Sequence, residues 1–111
     1  MKTFNFGLIA EYFITFIYIL KFYQILHHRI RNYGGEVDIV AIRGKTLVFI
    51  EVKARKSDYD DVLLSQYQQR RIKKAAEIFI SKNSKYKSHD IRFDFVVVKP
   101  YMLPLIIKNA W

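Results

Sequence analysis

A chain of 111 residues suits one small domain, and an apolar share of 51% is enough for a core and excludes a disordered polymer. Nineteen Lys and Arg against ten Asp and Glu leave a formal charge of +9, which favours a polyanionic partner, either nucleic acid or an anionic membrane surface. There is no cysteine, which excludes disulfides and thiolate zinc sites and fits a reducing cytoplasm.

Taken in chain order, residues 7–26 are long enough to span a bilayer, but Glu11, Lys21 and Gln24 interrupt them, and charges at depth are costly. Glu11 also breaks any signal-peptide core, and no clear small-residue cleavage site follows. Apolar residues recur at Leu8, Ile9, Tyr12, Phe13, Phe16, Ile17, Leu20 and Tyr23, which predicts a helix over about 6–22 packed on a core, with no stable membrane insertion. A strand is expected over about 24–31, then a turn at Asn32-Tyr33-Gly34-Gly35, then strands over about 36–42 and 46–54. A polar loop (56–61) leads to a second helix over about 63–82, with Leu64, Ile72, Ala75, Ala76, Phe79 and Ile80 on its apolar side. A basic loop precedes a strong strand at about 91–98; beyond it the apolar tail contains Pro100 and Pro104, which obscure its state. No repeat or linker divides the chain, so one α/β domain over 1–111 is expected, a mixed sheet of at least four strands flanked by helices. The second helix is long enough to return the chain to a parallel neighbour.

The middle strands carry the chemistry. Gly44-Lys45 suits a two-residue turn with Gly first. That turn sets Asp38 opposite Glu51 and Glu36 opposite Lys53, and two-residue alternation puts all four on one face. Val37, Ile39, Val48, Ile50 and Val52 then take the other face and the core. A Glu36–Lys53 pair alone reads as an ordinary solvated ion pair of little value. Asp38 and Glu51 are different: like charges facing each other repel, and both lie between apolar residues well inside their strands. A divalent cation between them removes the conflict, because carboxylate oxygens are the donors Mg²⁺ prefers. Lys53 beside such an ion is suited to orient a water or to stabilise charge building on a phosphate.

Glu36-Val37-Asp38-Ile39-Val40-Ala41 followed by Phe49-Ile50-Glu51-Val52-Lys53-Ala54-Arg55 resembles the signature of the YraN-like proteins, small bacterial proteins similar to Holliday junction resolvases within the PD-(D/E)xK, or restriction endonuclease-like, superfamily. Ala10-Glu11, Lys74-Ala75-Ala76, Arg92-Phe93-Asp94-Phe95-Val96 and Asn109-Ala110-Trp111 extend the resemblance over nearly the whole chain. It implies a restriction endonuclease-like mixed β-sheet with a central hairpin flanked by α-helices. It also implies an Mg²⁺- or Mn²⁺-dependent endonuclease acting on DNA, at branched or junction structures, with a binding protein that keeps the fold without turnover as the alternative. Asp38, Glu51 and Glu11 would ligate the metal, Lys53 would assist the water or the developing charge, and Glu36 would hold Lys53 in place. The sequence departs from the family at His28-Arg29, where Arg-Asn is usual, at Gln68, where a lysine is common, and in its aromatic first helix.

Independently of family, Arg70, Lys73 and Lys74 lie at i, i+3 and i+4 on the second helix and, with Arg55 and Lys56 beside the hairpin, form a basic surface for phosphates. His27 and His28 are adjacent on a strand, so they face opposite ways and cannot share a metal. Cutting both strands of a junction needs two sites and hence a homodimer, for which the first helix or the tail from Leu103 offers an interface.

Overall fold

The computed structural model describes residues 5–55 and 64–111. Helix α1 (Phe6–Leu20) opens on Asn5, whose Oδ1 accepts the Leu8 N–H at 3.0 Å, an N-cap in the usual sense. Strands β1 (Gln24–Asn32), β2 (Gly35–Arg43) and β3 (Thr46–Ala54) form an antiparallel meander. Helix α2 (Gln66–Lys82) is capped by Ser65, whose Oγ accepts the Gln68 N–H at 3.1 Å. It carries the chain over the sheet to β4 (Asp90–Val98), which pairs parallel to β3. A short strand β5 (Leu105–Ile107) closes the order β1-β2-β3-β4-β5 by pairing antiparallel to β4.

The two helices cover opposite faces of this mixed sheet. Ala10, Ile14 and Tyr18 of α1 pack with Ile39, Ala41, Val48, Ile50 and Val96. Ile72, Ala75, Ala76 and Phe79 of α2 pack with Val40, Leu47, Phe49, Phe95 and Val97. The central strands are buried on both sides, which is why they read as near-continuous apolar runs. The parallel return through α2 and the central hairpin are as expected, and the arrangement is compatible with a restriction endonuclease-like fold.

Two expectations need correction. The residues expected to seat α1 on the core are mostly outside it: Leu8, Ile9, Tyr12, Phe13, Phe16 and Leu20 are exposed, and the helix packs through Ala10, Ile14, Ile17 and Tyr18. A helix apolar all round gives its periodicity no power to choose a face. Small Ala10 lets the helix approach the sheet, and Tyr18 has a polar partner there. The tail, whose state the prolines obscured, supplies the edge strand β5. The expected start of α2 at 63 lies outside the described residues.

The polar partner is Asp94, completely buried on β4. It accepts from Arg92 Nε and Nη2 (both 2.9 Å), from Tyr18 Oη (2.7 Å) and from the Asn109 N–H (3.1 Å). Arg92 Nη2 also donates to Tyr23 Oη at 2.7 Å. Burial, then the bond to Asp94, raise the Tyr18 phenol well above its usual range. Burial pulls the Arg92 guanidinium down, but its bonds to Asp94 and Tyr23 outweigh that and raise it. The network ties α1, the β1 entry, β4 and the C-terminal tail to one carboxylate. Replacing Asp94 with Ala strands a partly buried guanidinium and should cost about 3–5 kcal/mol in urea unfolding, whereas Ile91→Ala on the exposed start of β4 should change stability by less than about 1 kcal/mol.

Candidate functional site

The hairpin register is the expected one from Arg43↔Thr46 to Ile39↔Ile50, and Gly44 takes φ +59 in the turn between them. Beyond Ile39 the ladder stops. In its place the Asp38 side chain enters between the strands, and Oδ2 accepts the Val52 N–H at 2.8 Å. The alternation of β2 changes here: Ile39 faces α1, yet Val37 packs with the α2 cluster, against the expectation that they share a face. On β1, Arg29 lies between the partners of Val37 and Ile39 and has φ +53, so both strands are distorted at the same level.

Glu51, one residue before Val52, has a side chain only 12% exposed, and its Oε2 lies 3.6 Å from Lys53 Nζ. Burial, a hydrogen bond with Asp38 and the Asp38 charge push its carboxyl up, to about 9, while Lys53 opposes the rise. Asp38 thus lies beside Glu51, and its charge favours the protonated form of the Glu51 carboxyl. Glu51 opens into a cleft of about 230 Å³ that is also lined by Glu36, Gln68, Arg71 and Ile72.

The remaining expected residues distribute unevenly. Glu36 does not hold Lys53; it pairs with Arg31 of β1 at 3.3 Å. The strands part beyond Ile39, and Lys53 lies nearer to Glu51, two residues away on its own strand. Glu11 is gripped by Arg29 through two bonds of 3.2 and 3.3 Å and lines a separate cleft with Leu8, Tyr12, His28 and Arg29. Among the described residues no three His, Asp or Glu side chains come together closely enough to hold a metal, so Glu11 does not complete a carboxylate trio in this arrangement. His27 lies against Phe79 and His28 near Tyr12, on opposite faces as expected. Arg55 is half-buried and donates to the Ala54 carbonyl at 3.2 Å. Lys56 lies outside the described residues. Arg70, Lys73 and Lys74 are all exposed on α2, but Lys74 lays its stem against the β1–β2 turn at Gly34, apart from the other two.

Sequence reasoning missed Arg71 as a site residue. Gln68, Arg71 and Ile72 stand at i, i+3 and i+4, the spacing that puts them on one helix face toward the cleft. That spacing is the signal the sequence offers for it. The donor chemistry of Asp38 and Glu51 fits a hard divalent cation: two adjacent carboxylates whose like charges raise the Glu51 carboxyl against the opposing effect of Lys53.

The family comparison agrees with the hairpin. Residues 10–98 match the family described as Uncharacterised protein family UPF0102. The chain belongs to UPF0102. This is the YraN family to which the hairpin motif pointed. A UPF0102 protein of Sinorhizobium medicae is 37% identical over all of this chain and 92% of its own length. A UPF0102 protein of Nitrobacter winogradskyi is 40% identical over all of this chain and 95% of its own.

The raised Glu51 carboxyl sets a pH dependence. A folded-state value above the unfolded value of 4.5 means that the native protein retains a proton the unfolded chain loses, so stability falls as pH rises from about 4.5 toward 9. In metal-free buffer near pH 8, Glu51→Gln should melt above wild type by several degrees, each kcal/mol being about 4–8 °C for a domain of this size. The gap should close as the pH is lowered toward 4.5. Thermal melts over a pH series in EDTA check this, and a gap that is constant with pH would contradict it.

Proposed function

We propose that this protein is a metal-dependent endonuclease that hydrolyses DNA phosphodiester bonds, with branched or junction DNA as the substrate class. The observation that carries this reading is Asp38 pinned between two strands by the Val52 N–H, in contact with a buried Glu51 that is itself paired with Lys53. In this reading Asp38 and Glu51 would hold Mg²⁺ or Mn²⁺, which when bound would supply Lewis-acid chemistry. Water attacks phosphorus, the bond to the leaving sugar oxygen breaks, and that oxygen gains a proton as the water loses one. Lys53 stabilises charge on the phosphoryl oxygens, and Arg71 with Gln68 on the opposite wall of the cleft receives the backbone.

Wild-type protein should cut linear, flap or four-way-junction DNA with Mg²⁺ or Mn²⁺ and not with EDTA. Asp38→Asn and Lys53→Ala should each lower the rate by about 100-fold or more. Cutting that persists in EDTA or in Asp38→Asn overturns the assignment. The second reading, a nucleic-acid-binding protein with this fold and no turnover, is favoured by one observation: Glu11 is tied to Arg29 and not to the carboxylate pair. DNA binding without cutting under any metal would select it.

The assembly in this reading is a homodimer through the outer face of α1. Ile9, Tyr12, Phe13, Phe16, Ile19 and Leu20 are each 45–62% exposed. They leave roughly 700 Å² of apolar surface, above what a typical monomer shows in one patch and close to one partner's share of a standard interface. Within α1 Glu11 is the only charged residue, so the exposed face itself carries no basic side chain of the kind a membrane-surface helix uses, and a second copy of the same face fits it better. Among the described residues no helix is long and apolar enough to cross a membrane. Sedimentation equilibrium should report a dimer for wild type and a folded monomer for Phe16→Glu; a wild-type monomer at micromolar concentration would exclude the interface.

A further inference from the structure

The N-terminal half of α2 is a ridge between two clefts. On one side Gln68 and Arg71 line the cleft into which Glu51 opens. On the other, Gln66, Gln69, Arg70 and Lys73 line a groove of about 360 Å³ whose far wall is Trp111. Among the described residues no acidic side chain lines this groove.

Trp111 is held in place. The Ala110 N–H donates to the Phe93 carbonyl at 2.7 Å, and the Asn109 N–H donates to Asp94 at 3.1 Å. The indole stacks on Phe93, with ring centroids 5.3 Å apart and planes 25° from parallel, and Phe93 stacks in turn on Phe49 of the core. The ring is therefore a rigid wall at a fixed position relative to the two cations. Its N–H is shielded from solvent and has no acceptor among the described residues, an uncommon state for a buried donor.

We propose that this groove is a second nucleic-acid contact, in which a backbone phosphate sits on Arg70 and Lys73 and the adjoining nucleotide lies against Trp111. This rests on the nucleic-acid reading of the carboxylate cleft and adds the path of the strand away from it. A helix with its side chains is about 10 Å across, so a strand leaving the cleft over the ridge reaches the groove within a few nucleotides. Guanidinium, ammonium and amide donors suit a phosphate, and an aromatic wall suits a sugar or base of any sequence. The contact is accordingly sequence-tolerant and salt-dependent.

Trp111 is the single tryptophan of the chain, so its emission reports on this groove alone. The test uses the full chain in EDTA, which suppresses turnover. A short single-stranded DNA and its duplex are titrated, with anisotropy of a labelled strand read beside tryptophan emission. Binding should change the Trp111 emission along the same curve as the anisotropy. The double variant Arg70→Ala/Lys73→Ala, altered only at exposed positions, should bind about tenfold more weakly and lose up to about two units of the log–log salt slope. Normal anisotropy with unchanged emission and an unchanged slope in the double variant overturns the groove and leaves the carboxylate cleft untouched. No binding of wild type at all overturns both, while binding without metal-dependent cutting counts against the nuclease reading alone.

Discussion

Beyond Ile39 and Ile50 the hairpin loses its backbone ladder, and the Val52 N–H is satisfied by a side chain, Asp38. The catalytic reading depends on this substitution. A buried N–H needs an acceptor, so the strand edge cannot relax without giving up that bond. The requirement fixes Asp38 in the gap between the strands and in contact with Glu51. A carboxylate on an ordinary pleated surface would turn into solvent and leave its neighbour. Here the backbone holds it against a like charge, and the conflict is part of the fold.

Two buried carboxylate sites on this sheet show what that conflict means. Asp94 has a bidentate guanidinium, a phenol and a backbone N–H, so its charge is matched within the protein. Nothing more is needed there, and the network reads as the tie that orients α1 and the tail. Among the described residues Glu51 has a lysine at 3.6 Å and a neighbouring carboxylate. A buried carboxyl with so little opposing charge is pushed toward its neutral form, and such perturbed groups concentrate at functional sites. The contrast in satisfaction, more than burial or motif, sets Glu51 apart from Asp94, and the proposed metal site draws on it.

Much of this was legible in the sequence. The strand boundaries, the turn at Gly44, the pairing of the hairpin core and the parallel return through α2 all follow from local patterns, because turn chemistry and two-residue alternation act over a few positions. The parity change at Asp38 was not legible, since strict alternation assumes a ladder that the Asp38 side chain interrupts. The Glu36–Lys53 pairing failed for the same reason. The seating of α1 was hidden because residues of similar hydrophobicity surround the helix; the decision rests on Asp94, seventy-six positions from Tyr18. Asp94 itself had been visible only as part of a strand motif.

The position of Arg71 over the cleft depends in turn on two glycines in the β1–β2 turn. A side chain at Gly35 would meet the Arg71 carbonyl at 2.9 Å, and one at Gly34 would meet the Ala75 nitrogen at 2.9 Å and the Lys74 stem at 2.7 Å. Asn32 reinforces the docking by donating to the Ala75 carbonyl at 3.1 Å. The turn joining β1 and β2 thus sets how closely α2 approaches the adjacent strand ends that bear Asp38 and Glu51. Any larger residue there would push the helix outward and carry Arg71 and Gln68 away from Glu51, widening the cleft while the hairpin stayed intact. The carboxylate pair is built by the hairpin alone, but the cleft exists only because glycine lets a helix come this near.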